Sequence, residues 1–166
     1  MDETQYNYND TAIIGGTFNE FHIGHQEYVK HALRNASYIF LFLTTDSYAQ
    51  KLKNYTVKPY EERKEKIIQF LLRNNFNTPY EIISLDSSEQ LIDFCLIQDI
   101  SKAFVIDEYI SLFDNINSIR KLQNKNVIEI KRRPRFKIIF PELCSTFYHT
   151  LEASDPKALG FPVLAL

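Results

Sequence analysis

Short apolar runs and amphipathic stretches alternate along most of this chain. Thr11–Gly16 is a short apolar run, and residues 37–45 form an almost continuous one through Tyr38-Ile39-Phe40-Leu41-Phe42-Leu43. Tyr80–Leu85, 103–106 and 127–130 follow. Apolar runs of about four to eight residues without strict alternation are the pattern of strands covered on both faces. Between them apolar positions recur at helical spacing. Val29, Ala32, Leu33 and Ala36 mark a helix from Gly24 to about Ala36, and Ile67, Ile68 and Leu71 mark one that Pro59 starts. Leu91, Ile92, Cys95 and Leu96 follow the capping triplet Ser87-Ser88-Glu89, while Ile110, Phe113, Ile116 and Leu122 follow Asp107-Glu108. This order predicts an α/β domain with five parallel strands and right-handed crossovers. A ligand then lies at the carboxyl ends of the strands. Residues 1–10, polar and acidic, read as a flexible lead, and 11–166 as one domain.

Composition narrows the class without naming a chemistry. A chain of 166 residues can bury one sizeable core, and a net charge of −2 calls for neither a membrane surface nor a nucleic acid. No apolar run reaches the length of a bilayer span and the start lacks a signal-peptide pattern, so a cytoplasmic protein is expected. Cys95 and Cys144 have neither metal-ligand spacing nor a disulfide framework, which fits a reducing compartment. The apolar end at 161–166 is expected to dock on the domain or on a second copy, giving an oligomer. The sharpest charge feature is Lys131-Arg132-Arg133-Pro134-Arg135-Phe136-Lys137, which leaves the predicted fifth strand on the ligand edge. It reads equally as a phosphate-binding segment or a solvated charge run. Nucleic acid is the weakest reading, because only Phe136 is interleaved with the cations.

The candidate chemistry sits where the first strand ends. Gly15-Gly16-Thr17-Phe18 leads into His22-Ile23-Gly24-His25, which opens the first helix. The paired glycines let backbone approach a bulky anion. Thr17 adds a hydroxyl and an N–H at the turn. His22 and His25, three apart, share a helix face with Gly24 keeping the space between them open. The helix N-terminus itself favours a phosphate there. A zinc site would need further Cys or His ligands close by, and the sequence places none, so no metal site is read. Thr44-Thr45-Asp46 leaves the second strand on the same edge, either to meet a ligand or to cap a short helix, with Lys51 and Lys53 behind it. In Pro59-Tyr60-Glu61-Glu62-Arg63 the proline and the acids suit a helix start. Arg63 does not, unless an anion lies near it.

These residues resemble the nucleotidyltransferase superfamily and, within it, the archaeal and eukaryotic type of phosphopantetheine adenylyltransferase. Four blocks carry the likeness across most of 11–155. They are the Gly-Gly-Thr-Phe/His-x-Gly-His block, Leu43-Thr44-Thr45-Asp46 with Lys51 and Lys53, Pro59-Tyr60-Glu61-Glu62-Arg63, and Asp107-Glu108 followed by Asn117 and Arg120. The resemblance implies a Rossmann-like, doubly wound nucleotidyltransferase fold. It implies transfer of AMP from ATP to 4′-phosphopantetheine, giving dephospho-CoA and pyrophosphate in coenzyme A biosynthesis, with Mg²⁺ accompanying ATP. Catalytic roles would fall to His22, His25, Lys53 and Arg63. Nucleotide contacts would come from Gly15, Gly16, Thr17, Phe18, Gly24, Ser145 and Thr146, and acceptor contacts from Thr45, Asp46 and Lys51. Two departures stand out. Asn19 occupies a position where the family usually has Asp. Cys144-Ser145-Thr146-Phe147-Tyr148-His149-Thr150 keeps the hydroxyls of the family's Ser-Ser/Thr-x-x-Arg element but has Thr150 near the place of its arginine. Arg132, Arg133 and Arg135 are expected to supply the missing cation. The rival readings are a cytidylyltransferase or FAD synthetase with another base or acceptor, and a catalytically idle nucleotide-binding module.

Overall fold

The structure, a computed structural model, describes residues 10–133. Most of the lead, Arg135, Ser145, Thr146, Thr150 and the apolar end at 161–166 lie outside the described residues. The elements are β1 (Thr11–Gly16), α1 (Ile23–Arg34), β2 (Tyr38–Thr44), α2 (Asp46–Leu52), α3 (Tyr60–Arg73), β3 (Tyr80–Leu85), α4 (Ser88–Ile97), β4 (Lys102–Val105), α5 (Asp107–Leu122) and β5 (Glu129–Arg132). They build the expected five-stranded sheet, in the order β3-β2-β1-β4-β5 with every neighbouring pair parallel. The chain winds outward from β1 to β3, then crosses back to place β4 on the other side of β1. The switch point therefore lies between β1 and β4.

Side-chain alternation explains why the strands read as unbroken apolar runs. Ala12 and Ile14 of β1, with Ile39, Leu41 and Leu43 of β2 and Phe104 of β4, join Val29, Ala32 and Leu33 of α1 and Ile67 and Leu71 of α3. The intervening residues Ile13, Phe42, Ala103 and Val105 join Leu91 and Cys95 of α4 and Phe113 and Ile116 of α5. β1, β2 and β4 thus have two buried faces, one under α1 and α3 and one under α4 and α5, while the edge strands β3 and β5 are less covered.

Two sequence expectations shift. The fifth strand starts at Glu129, not Val127, because Asn117 engages both backbone groups of Ile128 at 2.8 Å. The ladder begins only with the pair Lys102 and Glu129, and the strand extends to Arg132. Leu122 is exposed instead of packing with Ile116. Six residues on, it points away from the buried stripe, and Arg120 at i+4 takes the inner position. The buried Arg120 donates from Nε to Asn126 O at 2.7 Å, and from Nη1 to Gln98 O at 3.1 Å and to Cys95 O. Asn117 and Arg120, which helped carry the family likeness, therefore serve the approach to β5 from inside the fold.

Candidate active site at the switch point

A cavity of about 110 Å³ opens at the carboxyl ends of β1, β2 and β4. Its polar lining comes from Thr17, His25, Tyr28, Thr44, Lys53, Glu108, Tyr109 and Arg133, on the framework of Gly15 and Gly16. Gly15 pairs with Phe42 of β2, and a Cβ on it would stand 3.2 Å from both Phe42 Cβ and Phe42 O. The turn is closed by Phe18 at φ 50° and Phe21 at φ 42°, left-handed backbone that bulky residues seldom adopt. The neighbouring contacts hold it. Asn19 Oδ1 accepts from Lys58 N–H at 2.7 Å, Lys58 Nζ meets Glu20 at 2.8 Å, and Gln26 Nε2 donates to Phe21 O at 3.1 Å. Asn19 thus keeps a hydrogen-bonding role, directed at the segment before α3.

The two histidines meet as the spacing implied. His22 is the N-cap of α1, and its Nδ1 accepts from Gly24 N–H at 3.1 Å. His25, buried on the first turn, stacks on His22 with ring centroids 3.9 Å apart. An accepting Nδ1 places the proton of a neutral His22 ring on Nε2. Burial, reinforced by the Arg133 cation, lowers the His22 pKa to about 4, so the ring is neutral near pH 7. The imidazoles stack directly on each other with no gap held open by Gly24, which is buried and donates its N–H to the His22 ring. The Phe18 ring belongs to the core, edge-on to His25 at 5.1 Å, which leaves the backbone as its polar contribution to the turn.

The remaining expected residues separate into a wall and a brace. Lys53, the C-cap of α2, lines the cavity, whereas Lys51 is exposed in the last turn of that helix. Thr45 caps α2, its Oγ1 accepting from Tyr48 N–H at 3.4 Å. Thr44 Oγ1 donates to Thr17 Oγ1 at 3.2 Å, tying β2 to the turn. Arg63 is fully buried and off the cavity wall. It donates to Lys58 O at 2.7 Å, to Thr17 O at 2.9 Å and to Asp46 Oδ1 at 2.8 Å. The anion that its place in the first turn of α3 demanded is therefore Asp46.

Tyr28 was not among the predicted site residues, whereas Arg133 belongs to the arginine cluster expected to supply a cation and is the member of it that lines the cavity among the described residues. Tyr28 is buried, donates from its hydroxyl to Phe104 O at 2.6 Å and accepts from Gly15 N–H at 3.4 Å, linking β4 to β1 at the switch point. Burial pushes its pKa up to about 12. Helical periodicity marked only its neighbour Val29, so the sequence carried no separate signal for it. Arg133 had one, the basic run, but its place depended on where β5 stops.

An open parallel sheet whose first strand ends in a glycine turn at the switch point is the architecture of the nucleotide-binding α/β class. Within that class the chain belongs to the cytidylyltransferase-like family, whose profile matches residues 13–153. It is 36% identical over 79 residues to a phosphopantetheine adenylyltransferase of Pyrococcus abyssi, covering 46% of this chain and 49% of that protein. It is 31% identical over 75 residues to one of Methanopyrus kandleri, covering 45% and 48%. The match thus spans about half the length of these curated relatives. Among solved structures, a protein of unknown function from Archaeoglobus fulgidus aligns with TM-score 0.62 and 25% identity, over 74% of this chain and 87% of that one. A lipopolysaccharide core biosynthesis protein from Thermoplasma volcanium shares the fold at TM-score 0.57 and 13% identity, over 77% and 98%. No helix among the described residues is long and apolar enough to cross a membrane.

Proposed function

We propose that this protein is a cytoplasmic adenylyltransferase that moves AMP from ATP to the phosphate of 4′-phosphopantetheine, giving dephospho-CoA and pyrophosphate. Residues 11–166 would form the domain responsible, and the apolar sequence 161–166 would join two copies. The observation that carries the reading is the stacked imidazole pair at the start of α1, beside the glycine turn, with Lys53 on the wall of the same cavity. The names of the archaeal relatives supply the acceptor and the base.

In this reaction an oxygen of the acceptor phosphate attacks Pα, the bond from Pα to the bridging oxygen breaks, and pyrophosphate leaves with that electron pair. The acceptor is already an anion, so no protein base is required. What remains is positioning and stabilisation of developing charge. His25 acts from the cavity wall with the neutral His22 ring stacked on it, and Thr17 with the glycine backbone receives the phosphates. Lys53 is the better placed lysine for the acceptor phosphate. Arg63, Asp46 and Thr45 act as positioning residues, holding the Thr17 turn and the end of β2. Ser145 and Thr146 would add hydroxyls to the triphosphate.

Among the described residues no three His, Cys, Asp or Glu side chains converge, and Glu108 is the carboxylate on the cavity wall. That donor set suits Mg²⁺ delivered on the triphosphate, where it supplies charge neutralisation.

The test is pyrophosphate release from a grid of ATP and CTP against phosphopantetheine, FMN and other phosphorylated acceptors. Release with ATP and phosphopantetheine is expected. Release only with CTP or another acceptor would move the protein to a different branch of the family. ATP binding without release in any combination would make it an idle module.

A further inference from the structure

Arg133 sits at the point where β5 gives out. Its backbone N–H donates to Val105 O at 2.8 Å, so the ladder fixes its Cα against β4. From there the side chain reaches back to the start of α1. The guanidinium lies over the Tyr28 ring at 4.4 Å, and Nη2 donates to Gly24 O at 3.0 Å. Tyr28 is itself pinned to β1 and β4, so the platform under the cation is rigid. Arg133 lines the same cavity as Thr17 and His25, and its Nε is buried with no acceptor among the described residues.

No carboxylate among the described residues pairs with Arg133, although a neighbour shows how this basic run is otherwise satisfied. Arg132 is largely exposed and meets Asp107 at 3.6 Å. A half-buried guanidinium with one carbonyl partner and an idle Nε carries a desolvation cost that its surroundings do not offset. It occupies the place where the helix N-terminus and the glycine turn already favour an anion. Planar, forked donors suit a phosphate or pyrophosphate group.

We propose that Arg133 is the ligand-binding cation of this site, holding the pyrophosphate-bearing end of the nucleotide, with Nε and the remaining N–H groups completed by phosphate oxygens. The inference rests on the nucleotide reading above and narrows the basic run to one residue. Arg132 belongs to the surface.

The experiment is calorimetric titration of the full chain with inorganic tripolyphosphate, ATP and adenosine, for wild type, Arg133→Gln and Arg133→Lys. The Gln variant should bind tripolyphosphate and ATP about tenfold or more weakly, with adenosine affinity unchanged. The Lys variant, keeping the charge without the fork, should fall between. A residue that merely braced α1 would weaken adenosine and tripolyphosphate alike. That pattern overturns the proposal, as does equal tripolyphosphate binding by wild type and Arg133→Gln, or wild type that binds no tripolyphosphate. If the Gln variant does not fold, the Lys variant decides on the same contrast between tripolyphosphate and adenosine. Wild type that binds tripolyphosphate through Arg133 yet transfers no AMP sinks the adenylyltransferase reading and leaves this site standing.

Discussion

Arg63→Met removes a buried cation, and the outcome depends on what its partners can do without it. Replacing a buried ion pair by an apolar side chain of similar volume is often neutral, because the desolvation of the charge is relieved at the same time. Here most partners are not removable. The carbonyls of Thr17 and Lys58 accept at 2.9 and 2.7 Å and stay in place when the guanidinium goes. An unsatisfied buried acceptor costs about 1–3 kcal/mol, and two of them set the scale. Asp46 adds little, since its side chain is 60% exposed and rehydrates once released. Methionine fills much of the vacated volume, so the cavity contribution is small. The expected loss is about 3–5 kcal/mol, a large part of a typical stability of about 5–15 kcal/mol. Asp46→Asn keeps an oxygen acceptor but removes the counter-charge of a fully buried guanidinium, and should cost about 1–3 kcal/mol, less than Arg63→Met. Urea unfolding of both variants, followed by circular dichroism, measures the difference. Arg63→Met within 1 kcal/mol of wild type, or Asp46→Asn as damaging as Arg63→Met, would refute the brace and return Arg63 to the list of ligand contacts (the threshold being about the net worth of a single hydrogen bond).

Other predictions follow from the same geometry. His22 titrates at about 4 in the fold against 6.5 as a free side chain, so its neutral form is favoured on folding. Its contribution should be complete above pH 6.5 and lost as pH falls toward 4, by about 2 kcal/mol after allowing for partial exposure. His22→Asn, which retains an N-cap acceptor, should flatten that part of the stability profile in urea melts at several pH values. Gly15→Ala puts a methyl 3.2 Å from the Phe42 backbone oxygen and should cost about 1–3 kcal/mol in a thermal melt; an unchanged melt would show that β2 yields freely. Lys53→Ala should raise the KM for the acceptor and leave ATP binding intact, while Lys51→Ala should do neither; steady-state kinetics with both variants checks this. His25→Ala should lower turnover by about 10²–10³-fold with little loss of ATP affinity, and equal losses in both would deny it a transition-state role.

Residues close together in the chain determined much of this protein. The apolar runs marked the first four strands, since a strand covered on both faces has no polar alternation to hide its length, whereas the polar edge strand Glu129–Arg132 was only approximately placed. The glycine turn and the His-x-x-His spacing marked the candidate site, because three residues at a helix start bring two imidazoles together wherever that helix goes. Tertiary structure decided what each cation does. Arg63 in the first turn of a helix and Arg133 in a basic run at a strand end both read locally as cations in want of an anion, and the local pattern does not say where each finds it. Arg63 is enclosed by carbonyls from Thr17 and Lys58 and by Asp46, residues that come together only when β1, α2 and α3 meet. Arg133 reaches the cavity because Asn117, on α5, delays the ladder until Glu129. That delay carries β5 to Arg132 and leaves the next side chain at the strand end, over Tyr28. Local pattern records which residues are apolar or charged. Whether a charge meets an acceptor from its own fold or waits for one from a ligand depends on contacts dozens of residues apart, which periodicity does not encode.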